Sequence, residues 1–233
     1  MVRIRDTLAR DTVELTTRDP GKVSIYVCGI TPYDTPHIGN ARTAVAFDTI
    51  RRYLEWIGFD VTFVSNVTDV EDKIIARAAR EKRTEPEVAA EFEAVYADQM
   101  HHLNVRDADH RPRATEYIER MLALVGELVD SGHAYEVPGQ GVYFAVETFP
   151  GYGALPHRTI AELRESAGAR VDVDEGKSSP MDFALWKAAK AGEPAWPSPW
   201  GDGRPGWHIE CSAMSLDLLG EGFDLHGGGE DLT

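Results

Sequence analysis

Hydrophobic and polar positions along the chain fall into blocks whose period changes. Residues 23–28, VSIYVC, form a β-branched and aromatic run behind the turn signal Asp19-Pro20-Gly21, which predicts a buried strand. The prolines and glycine of Gly29-Ile30-Thr31-Pro32-Tyr33-Asp34-Thr35-Pro36 interrupt regular structure until about His37. Phe47, Ile50, Leu54 and Ile57 then recur at helical spacing, with Gly58 in place as the residue that ends the helix. Residues 61–66, VTFVSN, predict a second strand. Thr68 or Asp69 is the expected cap of a following helix, whose first turn would carry Asp69, Glu71 and Asp72. The order is βαβα.

Thr84-Glu85-Pro86-Glu87 has capping-box spacing, and Val88, Phe92, Val95, Met100 and Leu103 behind it predict a helix over 84–103. After Arg111-Pro112-Arg113, the stripe Ile118, Met121, Leu122, Val125, Leu128 and Val129 predicts another, ended by Gly132. The period then shortens to two. HAYEVPGQGVYFAVETFPGYG reads as a hairpin around Pro138-Gly139-Gln140-Gly141, unlike a βαβ unit. The expectation is an α/β chain: residues 1–112 supply the first half of a parallel-sheet domain flanked by helices, 113–200 a small α+β insertion, and 201–233 the start of the second half, resuming near Gly206. Tryptophans 186, 196 and 200, among prolines 194, 197 and 199, make a stiff aromatic segment at the return.

At 233 residues the chain has enough length for one or two domains with a real core. No apolar run approaches the roughly 18 residues of a membrane span, and the charged start VRIRDTLARD offers no secretory signal, so a cytoplasmic protein without membrane contact is expected. The balance of 24 basic against 39 acidic residues, a net −15, disfavours nucleic-acid backbones on average. The segment ARAAREKRT at 76–84 is a local exception.

Chemistry concentrates after the first strand. Thr31 to Asn40 lie between the carboxyl end of a strand and a helix N-terminus, where free N–H groups and the helix dipole favour a phosphate. His37 can donate to phosphate oxygens and Gly39 permits close approach. Cys28 and Cys211 are the only cysteines; in a reducing compartment they are buried thiols, metal ligands or catalytic groups rather than a bridge. Asp69, Glu71 and Asp72 read as partners of a helix dipole, not as metal ligands. His101 and His102 read as a solvated helix end, and His157 has no companions that suggest chemistry.

YVCGITPYDTPHIGNART, SNVTDVEDKII, PRATEYI, DFALWK, PGWHIECSAM and DLHGGGEDL together, in that order over nearly all of 20–233, resemble the cysteinyl-tRNA synthetases, a class I aminoacyl-tRNA synthetase family. The resemblance implies a Rossmann-like (HUP-type) fold and a cysteine–tRNA ligase that forms cysteinyl-adenylate from L-cysteine and ATP with Mg²⁺, then charges tRNA(Cys), and a monomer is expected. His37-Ile38-Gly39-Asn40 matches the HIGH signature with Asn40 in place of its last histidine, an exchange that keeps a donor but not a charge. His37 and Asn40 are the implied catalytic residues, and Thr35, His37, Gly39, Asn40, Gly228, Gly229 and Asp231 the implied ATP contacts. Gly29, Thr31, Asn66, Thr68, Trp207 and His226 are implied around the substrate cysteine. Cys28 and Cys211 are implied Zn²⁺ ligands, a soft-accepting metal that distinguishes a thiol from a hydroxyl.

The family's remaining His and Glu ligands follow its GGG-x-DL motif and are expected beyond Thr233; His208 is a nearby alternative. The lysine-rich KMSKS loop and the helical anticodon-binding domain are absent from the sequence, which reads as an N-terminal catalytic portion. Two rivals stand beside this reading: the related mycothiol-pathway ligase, which passes cysteine to an amino sugar, and a non-catalytic fragment that binds cysteine or adenylate.

Overall fold

The computed structural model describes residues 2–167 and 176–229, in two compact units. One comprises residues 17–118 with 210–229. Its sheet is formed by β3 (Lys22–Ile30), β4 (Asp60–Val67) and β9 (Leu225–Gly227), ordered β4-β3-β9 with every pair parallel. The carboxyl ends of all three strands therefore share one edge, where open α/β sheets bind ligands. The segment 110–113 extends the β4 side through Ser65 N–H to His110 O and Val67 N–H to Pro112 O.

Helix α1 (Ile38–Trp56) connects β3 to β4, as the apolar spacing predicts, and Gly58 follows it at φ +101°, a conformation that suits glycine. Helix α2 (Asp72–Glu81) starts at Glu71, whose side chain accepts from Lys73 N–H at 2.7 Å, so neither expected cap is used. The reason is tertiary. Thr68 directs its hydroxyl to Glu210, and Asp69 accepts the amide and hydroxyl of Thr115. Helix α3 (Glu85–His102) begins at the predicted box, with Glu87 accepting both the amide and the hydroxyl of Thr84 at 2.9 Å. The face of α2 carrying Ile74 and Ala78 packs on Val88, Ala89 and Phe92 of α3, with Tyr33 against them. The basic run at 76–84 is largely neutralised: Arg77 pairs with Glu81 and Asp34, and Arg83 with Glu81 and Glu91.

The other unit comprises residues 2–16 and 119–209 among those described. Its first strands, β1 (Arg3–Asp6) and β2 (Asp11–Glu14), make an antiparallel hairpin that no sequence signal marked. Helix α4 (Ile118–Asp130) starts at the boundary and ends before Gly132, at φ +78°. Strands β5 (Ala134–Val137) and β6 (Gly141–Phe144) form the expected hairpin, and β7 (Phe183–Ala188) and β8 (Gly203–Pro205) extend it into an antiparallel sheet ordered β5-β6-β7-β8. Helix α5 (Ile160–Ala167) lies between β6 and β7 in sequence.

Trp186 of β7 is completely buried, as are Val142 and Val146. Asp182, just before β7, is 3% exposed and accepts from Tyr135 Oη at 2.7 Å and from the amides of Val146 and Ser179 at 2.9 Å. Its carboxylate thereby replaces hydration with three donors. Helix α6 (Trp207–Leu219) is divided between the units at Ile209 and Glu210.

Candidate active site

Two constellations lie at the carboxyl edge of the parallel sheet. The first is the start of α1. His37 caps the helix from extended backbone, with Nδ1 accepting Gly39 N–H at 3.1 Å, while Asn40 Oδ1 accepts the His37 amide at 3.0 Å. These reciprocal bonds assign the polar atoms. A neutral ring that accepts at Nδ1 carries its proton at Nε2, and an Asn whose oxygen faces the cap has its NH₂ group left to donate. The Asn40 that departs from the family signature thus closes a capping box and still offers a donor.

The preceding turn is held by Asp34, which accepts from Thr35 N–H at 2.8 Å and from Arg77 at 3.0 Å; these partners pull its carboxyl below the ordinary value. A groove of about 300 Å³ runs between His37, Ile38 and Ala41 on one side and Met100, His102 and Leu103 on the other.

The second constellation surrounds the cysteines. Cys28 occupies the end of β3 and Cys211 the first turns of α6, with their sulfurs 3.6 Å apart. Two sulfurs bound to one tetrahedral zinc at about 2.3 Å lie about 3.8 Å from each other, so the pair fits two corners of such a site. Among the described residues no group of three or more His, Cys, Asp or Glu is arranged to hold a metal ion, so these two sulfurs are the donors present. The Cys28 sulfur beside it, with burial, holds the Cys211 thiol far above its ordinary range.

Asn66, next to the sulfur of Cys211, and Thr68, next to Asn66, are both buried. Asn66 Oδ1 accepts Gly29 N–H at 2.8 Å and lies 3.8 Å from Cys211 Sγ. Gly29 is obligatory for packing: a Cβ there would sit 1.6 Å from the Asn66 carbonyl oxygen. Thr68 donates its hydroxyl to Glu210 at 2.9 Å. Burial pushes the Glu210 carboxyl well above the usual range, and Cys211, Asp69 and Glu71 around it act in the same direction.

The structure therefore brings Cys28, Gly29, Asn66, Thr68 and Cys211 together, and Thr31 lies on the loop that leaves β3. His226 of β9 packs edge-on to Tyr26, ring centroids 5.7 Å apart, and desolvation lowers its pKa. Gly227 pairs with Val27, and Gly228 and Gly229 continue from it, exposed, at the same sheet edge. Asp231 lies outside the described residues. Trp207 belongs to the antiparallel unit, where it packs against His208, whose pKa is lowered by burial and by Lys187.

Two residues of this site were missed in the sequence. Glu210 has no assignment there beyond its place before Cys211. Tyr26 reads as core, yet it packs on Cys211, and burial together with that sulfur holds its hydroxyl far above the ordinary pKa. No spacing rule marks either, because their partners come from other elements.

A family model described as the class I (C) tRNA synthetase catalytic domain matches residues 14–233. Among curated relatives, the cysteine–tRNA ligase of Halorhodospira halophila is 53% identical over 232 residues, covering 100% of this chain and 50% of that protein. The cysteine–tRNA ligase of Nitratidesulfovibrio vulgaris is 54% identical, covering 100% and 47%. The chain spans about half the length of these relatives. Among solved structures, a Mycobacterium tuberculosis methionyl-tRNA synthetase in complex with methionyl-adenylate aligns with a TM-score of 0.62 at 17% identity, over 91% of this chain and 52% of that one. A putative arginyl-tRNA synthetase from Campylobacter jejuni aligns with a TM-score of 0.54 at 14% identity, over 90% and 48%. These two share the fold.

Proposed function

The chain belongs to the family of class I (C) tRNA synthetase catalytic domains, and from that premise we propose that it carries the cysteine-selecting and adenylate-forming portion of a cytoplasmic, monomeric cysteine–tRNA ligase. In this reading residues 1–112 and 201–233 belong to the nucleotide-binding domain and 113–200 to its connective insertion, although residues 2–16 and 201–209 group with the antiparallel unit. The observation that carries the proposal is the Cys28–Cys211 pair, 3.6 Å apart, on the same sheet edge as the capped start of α1.

The reaction needs no protein nucleophile. The carboxylate of L-cysteine attacks the α-phosphorus of ATP in line, releasing pyrophosphate; a terminal ribose hydroxyl of tRNA(Cys) then attacks the carbonyl carbon of the adenylate, forming the ester and releasing AMP as the acyl–phosphate bond breaks. Catalysis is positioning together with stabilisation of phosphate charge. His37 Nε2–H, the Asn40 NH₂ group and the N-terminus of α1 are directed to phosphate oxygens, with Mg²⁺ accompanying ATP. Thr35 and Gly39 line the same approach, and Gly228, Gly229 and Asp231 are assigned to the nucleotide. Thr31, Asn66, Thr68, Trp207, His226 and the backbone of Gly29 are assigned to the amino acid, whose ammonium and carboxylate suit hydroxyl and amide partners.

Cys28 and Cys211 would hold zinc, which when bound supplies a soft centre that separates a thiol from a hydroxyl. Selection on that basis exceeds what pocket size achieves for two side chains of such similar volume.

The test is titration of the zinc-supplied chain with a non-hydrolysable cysteinyl-adenylate analogue and its seryl counterpart, followed by cysteine-dependent ATP–pyrophosphate exchange. Binding of the cysteinyl analogue at least tenfold tighter is expected. Equal affinity for the two, or affinity for neither, would overturn the proposal.

A further inference from the structure

One buried acid next to the cysteine pair has no part in the assignments above. Glu210 is 1% exposed on α6, immediately before Cys211, and its carboxyl oxygen takes the Thr68 hydroxyl at 2.9 Å. Thr68 is itself fixed, its amide donating to Ile30 O at 2.9 Å, and its hydroxyl oxygen also lies 3.4 Å from Asn66 Nδ2. Asn66 turns its Oδ1 toward Gly29 N–H, directly after Cys28, and toward the sulfur of Cys211. The run Glu210, Thr68, Asn66, Gly29 joins two segments distant in sequence, and each segment holds one cysteine.

We propose that Glu210 is a positioning residue which, through Thr68 and Asn66, sets the separation and facing of the Cys28 and Cys211 sulfurs. The inference rests on the functional reading above and adds to it the element that orders the cysteine-selecting site. Burying an acid is costly, and an apolar residue in its place would serve a helix-to-strand contact as well or better. What the carboxyl supplies is direction: a fixed acceptor for one hydroxyl, which holds the amide that touches both cysteine segments. Groups that orient ligands in this way act on affinity while remaining outside contact with the ligand.

The experiment compares the wild-type chain with Glu210→Ala, Glu210→Gln and Thr68→Val in three titrations: Cd²⁺ alone, read by thiolate-to-metal charge-transfer absorption; the cysteinyl-adenylate analogue; and ATP. Glu210→Ala is expected to weaken Cd²⁺ and the analogue on the order of tenfold or more while leaving ATP affinity within about twofold. Glu210→Gln, whose amide oxygen still accepts the Thr68 hydroxyl, should stay within about threefold of wild type for all three ligands. Thr68→Val should match Glu210→Ala for Cd²⁺, and the double variant should be no worse than either single one.

Wild-type Cd²⁺ affinity in Glu210→Ala, or an equal loss in Glu210→Gln, would overturn the proposal. Where Glu210→Ala fails to fold, Glu210→Gln and Thr68→Val decide between the same outcomes. If the wild-type chain binds neither adenylate analogue, the functional reading fails, and the Cd²⁺ series alone still decides the role of Glu210. A wild-type chain without a Cd²⁺–thiolate signal would overturn both.

Discussion

Asp182 in the antiparallel unit and Glu210 in the parallel unit are acids buried to nearly the same degree, yet they are treated in opposite ways. Asp182 receives three donors, two of them backbone amides, so both carboxylate oxygens are occupied. Glu210 receives one described hydrogen bond, from a hydroxyl, amid acidic and sulfur neighbours. A fully occupied acid is a structural staple, here tying Tyr135, Val146 and Ser179 to one carboxylate. A sparsely partnered one is tolerated where the surrounding atoms must face a ligand, which is where buried polar networks carry information beyond stability.

This contrast predicts where the largest stability effect lies. Asp182→Ala leaves the Tyr135 hydroxyl and the Val146 and Ser179 amides without their acceptor, at about 1–3 kcal/mol for each buried group that finds no other partner. A loss of about 3–4 kcal/mol is expected in urea unfolding followed by a probe in the antiparallel unit. Glu210→Gln should cost far less in the same measurement. The contrast breaks if the two variants are equally destabilised.

Much of this architecture is legible in the sequence, since local signals decide it. The VSIYVC run, the Pro-rich loop, the helical stripes and the T-x-x-E box each appear in the structure as strand, loop, helix and cap. The missed helix cap has a tertiary cause. Thr68 is a competent cap by propensity, but a residue 142 positions away captures its hydroxyl, and Glu71 takes over. Strands β7 and β8 also escape the periodic reading: DFALWK is buried through its sheet partners, and β8 has only three residues. Within the site, the loop leaving β3 could be recognised from residue types near a strand end. The Glu210–Thr68–Asn66 run could not, because nothing local pairs its members.

The same edge offers an intermediate effect that sharpens the comparison within one unit. Gly29→Ala places a methyl group 1.6 Å from the Asn66 carbonyl oxygen, where backbone rather than a flexible side chain must move. A cost of about 1–3 kcal/mol is expected from overpacking. A concurrent loss of affinity for the cysteinyl-adenylate analogue is expected, since Asn66 and the segment after Cys28 shift together. Unchanged affinity alongside lowered stability would separate packing at Gly29 from the geometry of the cysteine pair.

The smallest effect separates burial from occupancy. Asp224, before β9, is as well supplied with donors as Asp182: Oδ2 accepts the Ser24 amide at 2.7 Å and the Ser24 hydroxyl at 2.6 Å, and Oδ1 accepts the Arg18 amide at 2.6 Å. It is only partly buried. Burial on its own would raise its pKa, but the Ser24 and Arg18 hydrogen bonds outweigh it and the carboxyl titrates below its ordinary value.

A group whose pKa is depressed by folding contributes stability that is complete above the unfolded-chain value, about 4, and is lost as pH falls through the folded value. Asp224→Asn cannot accept on both sides, because one of its two positions is now NH₂ facing a donor. It is expected to cost about 1 kcal/mol near neutral pH. The difference from wild type should narrow as pH falls below about 4, where the unfolded wild-type chain takes up the proton first, and the narrowing is complete once pH passes the lower folded value. Denaturant midpoints of both proteins across that range read the effect directly. If Asp224→Asn were as costly as Asp182→Ala at neutral pH, the number of donors rather than their burial would set the price of removing a carboxylate, and the sparse partnering of Glu210 would then be sufficient by itself to mark it as different.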